Sequence, residues 1–291
     1  MKCLYHANCN DGAGAALAVW SANGDEGNDY IPVQYGAAPP DGLEGNDIVM
    51  VDFSYPKETI RQLAAIANSI LIIDHHKTAQ SELADVDDGN GCPITTIFDM
   101  EKSGAVLAWE HFHPGTPIPQ LLLHVQDRDL YHLKLSGTQD IAKGLQLYPD
   151  WREWSQFIGD GFNSSIASVE LQGFAINHYL ENQSDKILKT EPVLWDITGD
   201  TVPLYNLPGF MLSDTLKMAL DKYPEAPYAV GYFDMPGLRT YSLRSRQGQD
   251  VDVSEIAAPL GGGGHKHAAG FTVKLVDDFV PADAVADNQE S

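Results

Sequence analysis

Residues 69–77 read SILIIDHHK, an apolar run from Ile70 to Ile73 that closes on Asp74, His75, His76 and Lys77. A short, unbroken apolar run of this kind predicts a strand buried on both faces, as in a parallel sheet covered by helices. Three polar side chains at the end of such a strand cost free energy unless something satisfies them. A metal ion and the hydrogen bonds around it would do so. Upstream, 47–53 (DIVMVDF) and 1–6 (MKCLYH) repeat the pattern, each ending in a metal-binding side chain: Asp52, and His6 followed by Asp11. Amphipathic stretches at 13–22, 56–68 and 103–112 predict helices, with Ser54, Pro56 and Ser103 at their starts. The series is βαβ, and the fold class is α/β. Open α/β sheets collect ligands outside the carboxyl ends of their strands. His6, Asp11, Asp52, Asp74, His75 and His76 would therefore converge at one edge, and Asp127 in HVQDRDLY would complete the cluster. Imidazole and carboxylate without thiolate suit Mn²⁺ or a similar divalent ion better than a structural zinc.

The chain has 291 residues with 18 basic and 41 acidic side chains, a formal charge of -23. Both parts are acidic: 26 acidic against 11 basic residues up to position 190, and 15 against 7 after it. This argues against a protein that grips long nucleic acid through a general electrostatic field, so a polyanionic substrate would be held locally. No stretch reaches the roughly 20 apolar residues of a membrane span, and MKCLYHANCND lacks an apolar signal core. A cytoplasmic protein without membrane contact is expected. Cys3, Cys9 and Cys92 are odd in number and lack CxxC spacing, which points to ordinary reduced thiols. Cys9 has no companion thiol and is not read as a ligand.

From about 118 strand signals fade, and 164–189 reads as one long helix. After it, 202–207, 227–233, 239–245 and 270–276 have strand character, with helices near 213–222 and 253–259. The expected division is a parallel-sheet domain over 1–150, a helical connector over 151–190, a smaller α/β domain over 191–280, and a disordered acidic tail over 281–291. Within the second domain stands Gly261-Gly262-Gly263-Gly264-His265 between apolar flanks. Consecutive glycines let backbone N–H groups gather around a phosphate. Arg239, Arg244, Arg246 and Lys266 lie near it in sequence and suggest a phosphate pocket. His111 and His113 read as helix-end groups, His124 as a partner to Asp127, and Trp151 and Trp154 as packing.

HANCNDGAGAA (6–16), VDFS (51–54), IDHHK (73–77), VQDRD (125–129), SLRSR (242–246) and GGGGHKHAAGF (261–271) together resemble the DHH phosphoesterase superfamily, in the form that joins a DHH domain to a DHH-associated domain. The resemblance implies two divalent metals, usually Mn²⁺ with Mg²⁺ or Co²⁺ as substitutes, and hydrolysis of phosphodiester, phosphomonoester or phosphoanhydride bonds. It makes His6, Asp11, Asp52, His75 and Asp127 metal ligands, with Asp74 orienting the neighbouring histidine and His76 close to the scissile phosphate. Arg244, Gly262, Gly263, Gly264 and His265 would hold the substrate, His265 also standing as a candidate acid, and the cleft between the domains would be the active site. The first motif departs from the family pattern, having Asn8 and Asn10 where aspartates are usual. Asn10 is kept as a weaker, neutral ligand. The function implied is a Mn²⁺-dependent phosphoesterase that activates water with two metals. It would act on short oligonucleotides or small nucleotides and release 5'-mononucleotides, without long duplex nucleic acid as a partner; a homodimer is one state the sequence allows. A RecJ-like exonuclease, an exopolyphosphatase or pyrophosphatase, and a weakened nucleotide-binding sensor are the alternatives.

Overall fold

The three apolar runs become β1 (Lys2–His6), β3 (Asp47–Val51) and β4 (Ser69–Asp74) in the computed structural model, which describes residues 1–86, 91–158, 162–197 and 199–275. Between and after them come α1 (Asn10–Asn23), β2 (Asp29–Val33), α2 (Lys57–Ala64), α3 (Lys77–Leu83), β5 (Ile94–Phe98), α4 (Gly104–Phe112), α5 (Gln120–Asp129) and α6 (Thr138–Gly144). The five strands form one parallel sheet in the order β2-β1-β3-β4-β5. Tyr5 pairs with Val51, and Val51 with Ile73. The residues that follow these three, His6, Asp52 and Asp74, are therefore neighbours at the carboxyl edge. In this strand order the crevice between β1 and β3 is the topological switch point, where ligands of such sheets bind.

Helices cover both faces, which is why the central strands read as unbroken apolar runs. Val49, Val51 and Ile73 pack with Leu17 and Val19 of α1, Leu107 of α4 and Leu121 of α5 on one side, together with Trp151 and Trp154. Leu4, Ile48, Met50, Ile70 and Ile72 pack with Ile60 and Leu63 of α2 on the other. Each such side chain contributes about 1.5–3 kcal/mol on burial, so the strand ends that carry the polar residues are firmly anchored. Ser103 starts α4 by accepting a hydrogen bond from the Val106 N–H, as its position in the sequence predicts.

The long helix α7 (Phe162–Leu188) contains the division between two compact units, which falls between Asn177 and His178. The second unit is built from β6 (Val193–Asp196), β7 (Thr201–Asn206), α8 (Leu212–Lys222), β8 (Tyr228–Met235), β9 (Leu238–Ser245), α9 (Val253–Ala257), β10 (Gly263–His265) and β11 (Ala268–Lys274). Its sheet runs β10-β11-β9-β8-β7-β6. All pairs are antiparallel except β7 and β8, which α8 connects as a crossover. The acidic tail at 281–291 lies outside the described residues, among which no helix is long and apolar enough to cross a membrane.

Candidate metal centre

The turn after β3 sets Asp52 in the left-handed region, with φ 53°. Asp and Asn tolerate that conformation better than other non-glycine residues, and strain of this kind gathers at functional sites. Gly104, at the start of α4, passes so close that a Cβ there would lie 2.5 Å from the Asp52 Cβ. From the same helix start, the N–H groups of Gly104 and Ala105 donate to the two carboxylate oxygens of Asp11, at 2.6 and 3.0 Å. Unpaired amides of a helix's first turn suit a carboxylate. Gly104→Ala is accordingly expected to displace Asp52 and to destabilise the unit by about 1–3 kcal/mol, the usual cost of overpacking. Thermal unfolding measures this, and an unchanged melting temperature would contradict it.

Three histidines meet four carboxylates at this edge. His75 Nε2 lies 3.2 Å from Asp52 Oδ1 and 3.6 Å from both Asp11 Oδ2 and Asp129 Oδ2. His6 Nδ1 stands 3.5 Å from Asp52 Oδ2. Asp74, fully buried, accepts from the backbone N–H groups of His75 and His76 at 2.7 and 3.3 Å and lies 2.7 Å from His76 Nδ1. Tyr35 closes the cluster with its hydroxyl 3.2 Å from the same His76 nitrogen. Three groupings bring ligand atoms within 4.8 Å of one another: His6, Cys9 and Asp52; Asp52, His75 and His76; Asp11, His75 and Asp129.

The electrostatics are those of a centre short of positive charge. Burial, then the nearby Asp52 and Asp129, push the Asp11 carboxyl well above the ordinary range. Asp129 is pushed up by burial and by Asp52, against the pull of His75. Burial opposes the charged form of His75 and of His76, yet the carboxylates of Asp52, Asp11 and Asp129 for the first, and Asp74 for the second, raise both. Asp52 is held down at about 2: burial works against its charge and the flanking His6 and His75 outweigh it. Two buried oxygens, Asp52 Oδ2 and Asp74 Oδ2, have no hydrogen-bond partner. A buried carboxylate oxygen without a donor is costly. The donor set, hard oxygens with imidazole nitrogens, fits a divalent cation.

The structure corrects the choice made within VQDRD. Asp127 is buried, and its oxygens accept from Lys134 N–H at 2.8 Å, Leu135 N–H at 3.0 Å and Thr138 Oγ1 at 2.7 Å. Burial opposes its ionisation, but these donors outweigh that and hold its carboxyl below the ordinary range. Asp127 thus folds the turn after α5, where Tyr131 and Leu133 both take positive φ. His124 reaches it through Thr138, its Nδ1 lying 2.9 Å from Thr138 Oγ1. The carboxylate set beside His75 is that of Asp129, whose side chain is 24% exposed and so open to a cation. Asn10, expected as a weak ligand, donates its amide to the Ala142 carbonyl at 3.1 Å.

In the second unit the last two residues of the glycine run, Gly263 and Gly264, lie with His265 in the edge strand β10. Gly263, Gly264 and His265 pair with Gly270, Ala269 and Ala268. A Cβ at Gly262 would lie 2.1 Å from the Gly270 carbonyl oxygen, and one at Gly264, where φ is 145°, 2.4 Å from the Ala268 carbonyl oxygen, so close approach to β11 accounts for these two glycines, while Gly261 and Gly263 have open space beside them. Arg244 and His265 each pair with Ala268, which puts both on one face with only a methyl between them. Arg244 donates to Ser242 Oγ at 3.0 Å and the Leu243 carbonyl at 2.9 Å. The other nearby cations have different tasks. Arg239 makes a two-pronged pair with Asp234, and Lys266 lies 3.7 Å from Asp250. Arg246 donates to three backbone carbonyls, those of Leu220, Tyr223 and Ala226, and so ties α8 and the turn after it to β9. Arg246→Lys is expected to lower stability by about 1.5–3 kcal/mol, because one ammonium cannot reproduce a planar fork with several directed donors. Chemical denaturation measures it; a neutral result would return Arg246 to the binding candidates.

No protein-family model matches the chain. It is 31% identical to the "Uncharacterized protein R106" of Acanthamoeba polyphaga mimivirus, across 98% of this chain and 70% of that one. Among solved structures, it superposes on RecJ in complex with Mn²⁺ from Thermus thermophilus with a TM-score of 0.52 at 14% identity, over 94% of this chain and 49% of RecJ. The DHH domain of a member of a family of ribosomal proteins gives 0.50 at 14% identity, over 92% and 81%. At such identities the likeness is one of fold.

Proposed function

The chain belongs to one family with the mimivirus protein, and from that premise we propose that it is a DHH-superfamily divalent-metal phosphoesterase acting on short oligonucleotides or small nucleotides, a reading that the fold likeness to DHH proteins supports. The observation that carries the reading is Asp52, a buried carboxylate between His6 and His75 with one oxygen lacking a donor. His6, Asp11, Asp52, His75 and Asp129 would hold the cations, with Mn²⁺ as the favoured ion and two as the favoured number. When bound, such ions supply Lewis acidity and an activated water. The protein's own part is positioning. Asp74 fixes His75 through its backbone N–H and His76 through both backbone and ring. The same carboxylate favours the protonated form of His76 over the opposing effect of burial, which suits it to give a proton to the leaving oxygen. Arg244 and His265, on one face of the second unit's sheet, have the chemistry to take a phosphate.

The net charge of -23 supports a short substrate, because a long strand would be repelled over most of its length. Products are to be followed by chromatography with Mn²⁺ and labelled RNA oligomers from the dinucleotide upward. Mononucleotides released fastest from the shortest oligomers are expected. Equal rates on long strands would favour a general exonuclease, and no cleavage of any oligomer would overturn the oligonucleotide reading and leave a smaller phosphate compound or a nucleotide sensor. Dialysis against a chelator is expected to abolish turnover and Mn²⁺ to restore it; turnover that survives dialysis would remove the metal from the reading.

A further inference from the structure

Cys9 holds the N-cap position of α1 yet makes no side-chain cap hydrogen bond. Ser, Thr, Asp or Asn at that position would accept from the helix's first amides, so a cysteine forgoes about 1 kcal/mol of local stability. Local rules broken without a local gain tend to mark functional sites. Its thiol is half buried, whereas Cys3 and Cys92 are fully packed in the interior. Cys9 Sγ, a ring nitrogen of His6 and a carboxylate oxygen of Asp52 all lie within 4.8 Å of one another. The second observation belongs to Asp52, which is 1% exposed and whose Oδ2 has no hydrogen-bond donor. Three ligands held at about 2.0–2.3 Å by one cation stand about 3.3–4.0 Å apart; His6 Nδ1 and Asp52 Oδ2 are already 3.5 Å apart, and no pair among the three needs to close by more than about 1.5 Å.

We propose that Cys9 is a thiolate ligand of the metal centre, forming with His6 and Asp52 a sulfur, nitrogen and oxygen position that takes a borderline divalent ion such as Zn²⁺ or Co²⁺ over Mg²⁺. The inference rests on the reading of the strand ends as a metal centre and overturns the expectation that Cys9 is an ordinary thiol. Thiolate selects softer cations, while carboxylate and water suit Mg²⁺. On ligation the Cys9 S–H bond breaks, its proton passes to solvent, and the sulfur lone pair forms the bond to the cation, with no change of oxidation state.

Titration of the full chain with Co²⁺, followed by absorption, tests this. The wild type is expected to show visible ligand-field bands and a near-ultraviolet sulfur-to-cobalt charge-transfer band; Cys9→Ser should keep the first and lose the second. Zn²⁺ affinity should fall by about 100-fold or more in the variant, with Mg²⁺ affinity changed by less than about 10-fold. Ligand-field bands without the charge-transfer band in the wild type would overturn Cys9 as a ligand and leave the metal centre standing. No cobalt bands at all would overturn the centre itself and the proposal with it. If Cys9→Ser does not fold, alkylation of wild-type Cys9 by iodoacetamide, mapped by mass spectrometry, decides. Zn²⁺ should slow it about 10-fold or more, and an unchanged rate would overturn the proposal.

Discussion

Asp52→Asn is expected to reduce kcat/KM by about 1,000-fold or more while the protein stays folded. A carboxylate that clamps a metal contributes several kcal/mol to the transition state, and each 1.36 kcal/mol is a factor of about ten. Asparagine is the right probe because residue 52 sits at φ 53°, where an alanine would add backbone strain to the loss of charge. The metal-free variant is expected to melt lower than wild type, because a carboxyl held at about 2 is stabilised in its charged form by His6 and His75, a loss that relief of Asp11 and Asp129 only partly offsets. The gain in melting temperature that Mn²⁺ gives the wild type should vanish, because a ligand stabilises only the state that binds it. Retained turnover would mean that the reaction is carried elsewhere.

Asp129→Asn and Asp127→Asn should part company. The first removes a carboxylate 3.6 Å from His75 Nε2, and turnover should fall by about 100-fold or more with little change in stability. The second replaces an acceptor of two backbone N–H groups and one hydroxyl with an amide that cannot serve all three. Its cost should appear in folding, about 1.5–3 kcal/mol by denaturant titration, with turnover within about 10-fold of wild type below the unfolding range. The reverse pattern would restore Asp127 to the metal.

The centre of the first sheet was legible because strands covered on both faces must be apolar along their whole length, so Asp52 and the Asp74-His75-His76 triplet stood out at their ends. The edges were not. β2 carries Pro32, which an edge strand tolerates, and β5 carries Thr95 and Thr96, both exposed. Asp127 and Asp129 lie within a single motif, and a helix turns about 100° per residue, so the pair faces opposite ways. Only the packing of α5 on α1 and α4 decides which carboxylate meets His75. Arg246 was misread for a related reason: a basic residue near a glycine run looks the same in sequence whether its guanidinium faces a phosphate or three carbonyls. Gly262 and Gly264 answer to backbone approach at β11, a demand that composition cannot distinguish from anion binding.

The grip of α4 on Asp11 gives the centre a built-in spectroscopic reporter. The amides of Gly104 and Ala105 end on the two oxygens of a carboxylate whose neighbours are Asp52, Asp129 and His75. When a cation neutralises that neighbourhood, the polarisation of these two N–H bonds must change, although neither amide touches the ion. Their nitrogen and proton resonances should therefore move together in a titration with diamagnetic Mg²⁺ or Zn²⁺, tracing occupancy residue by residue without substrate or turnover.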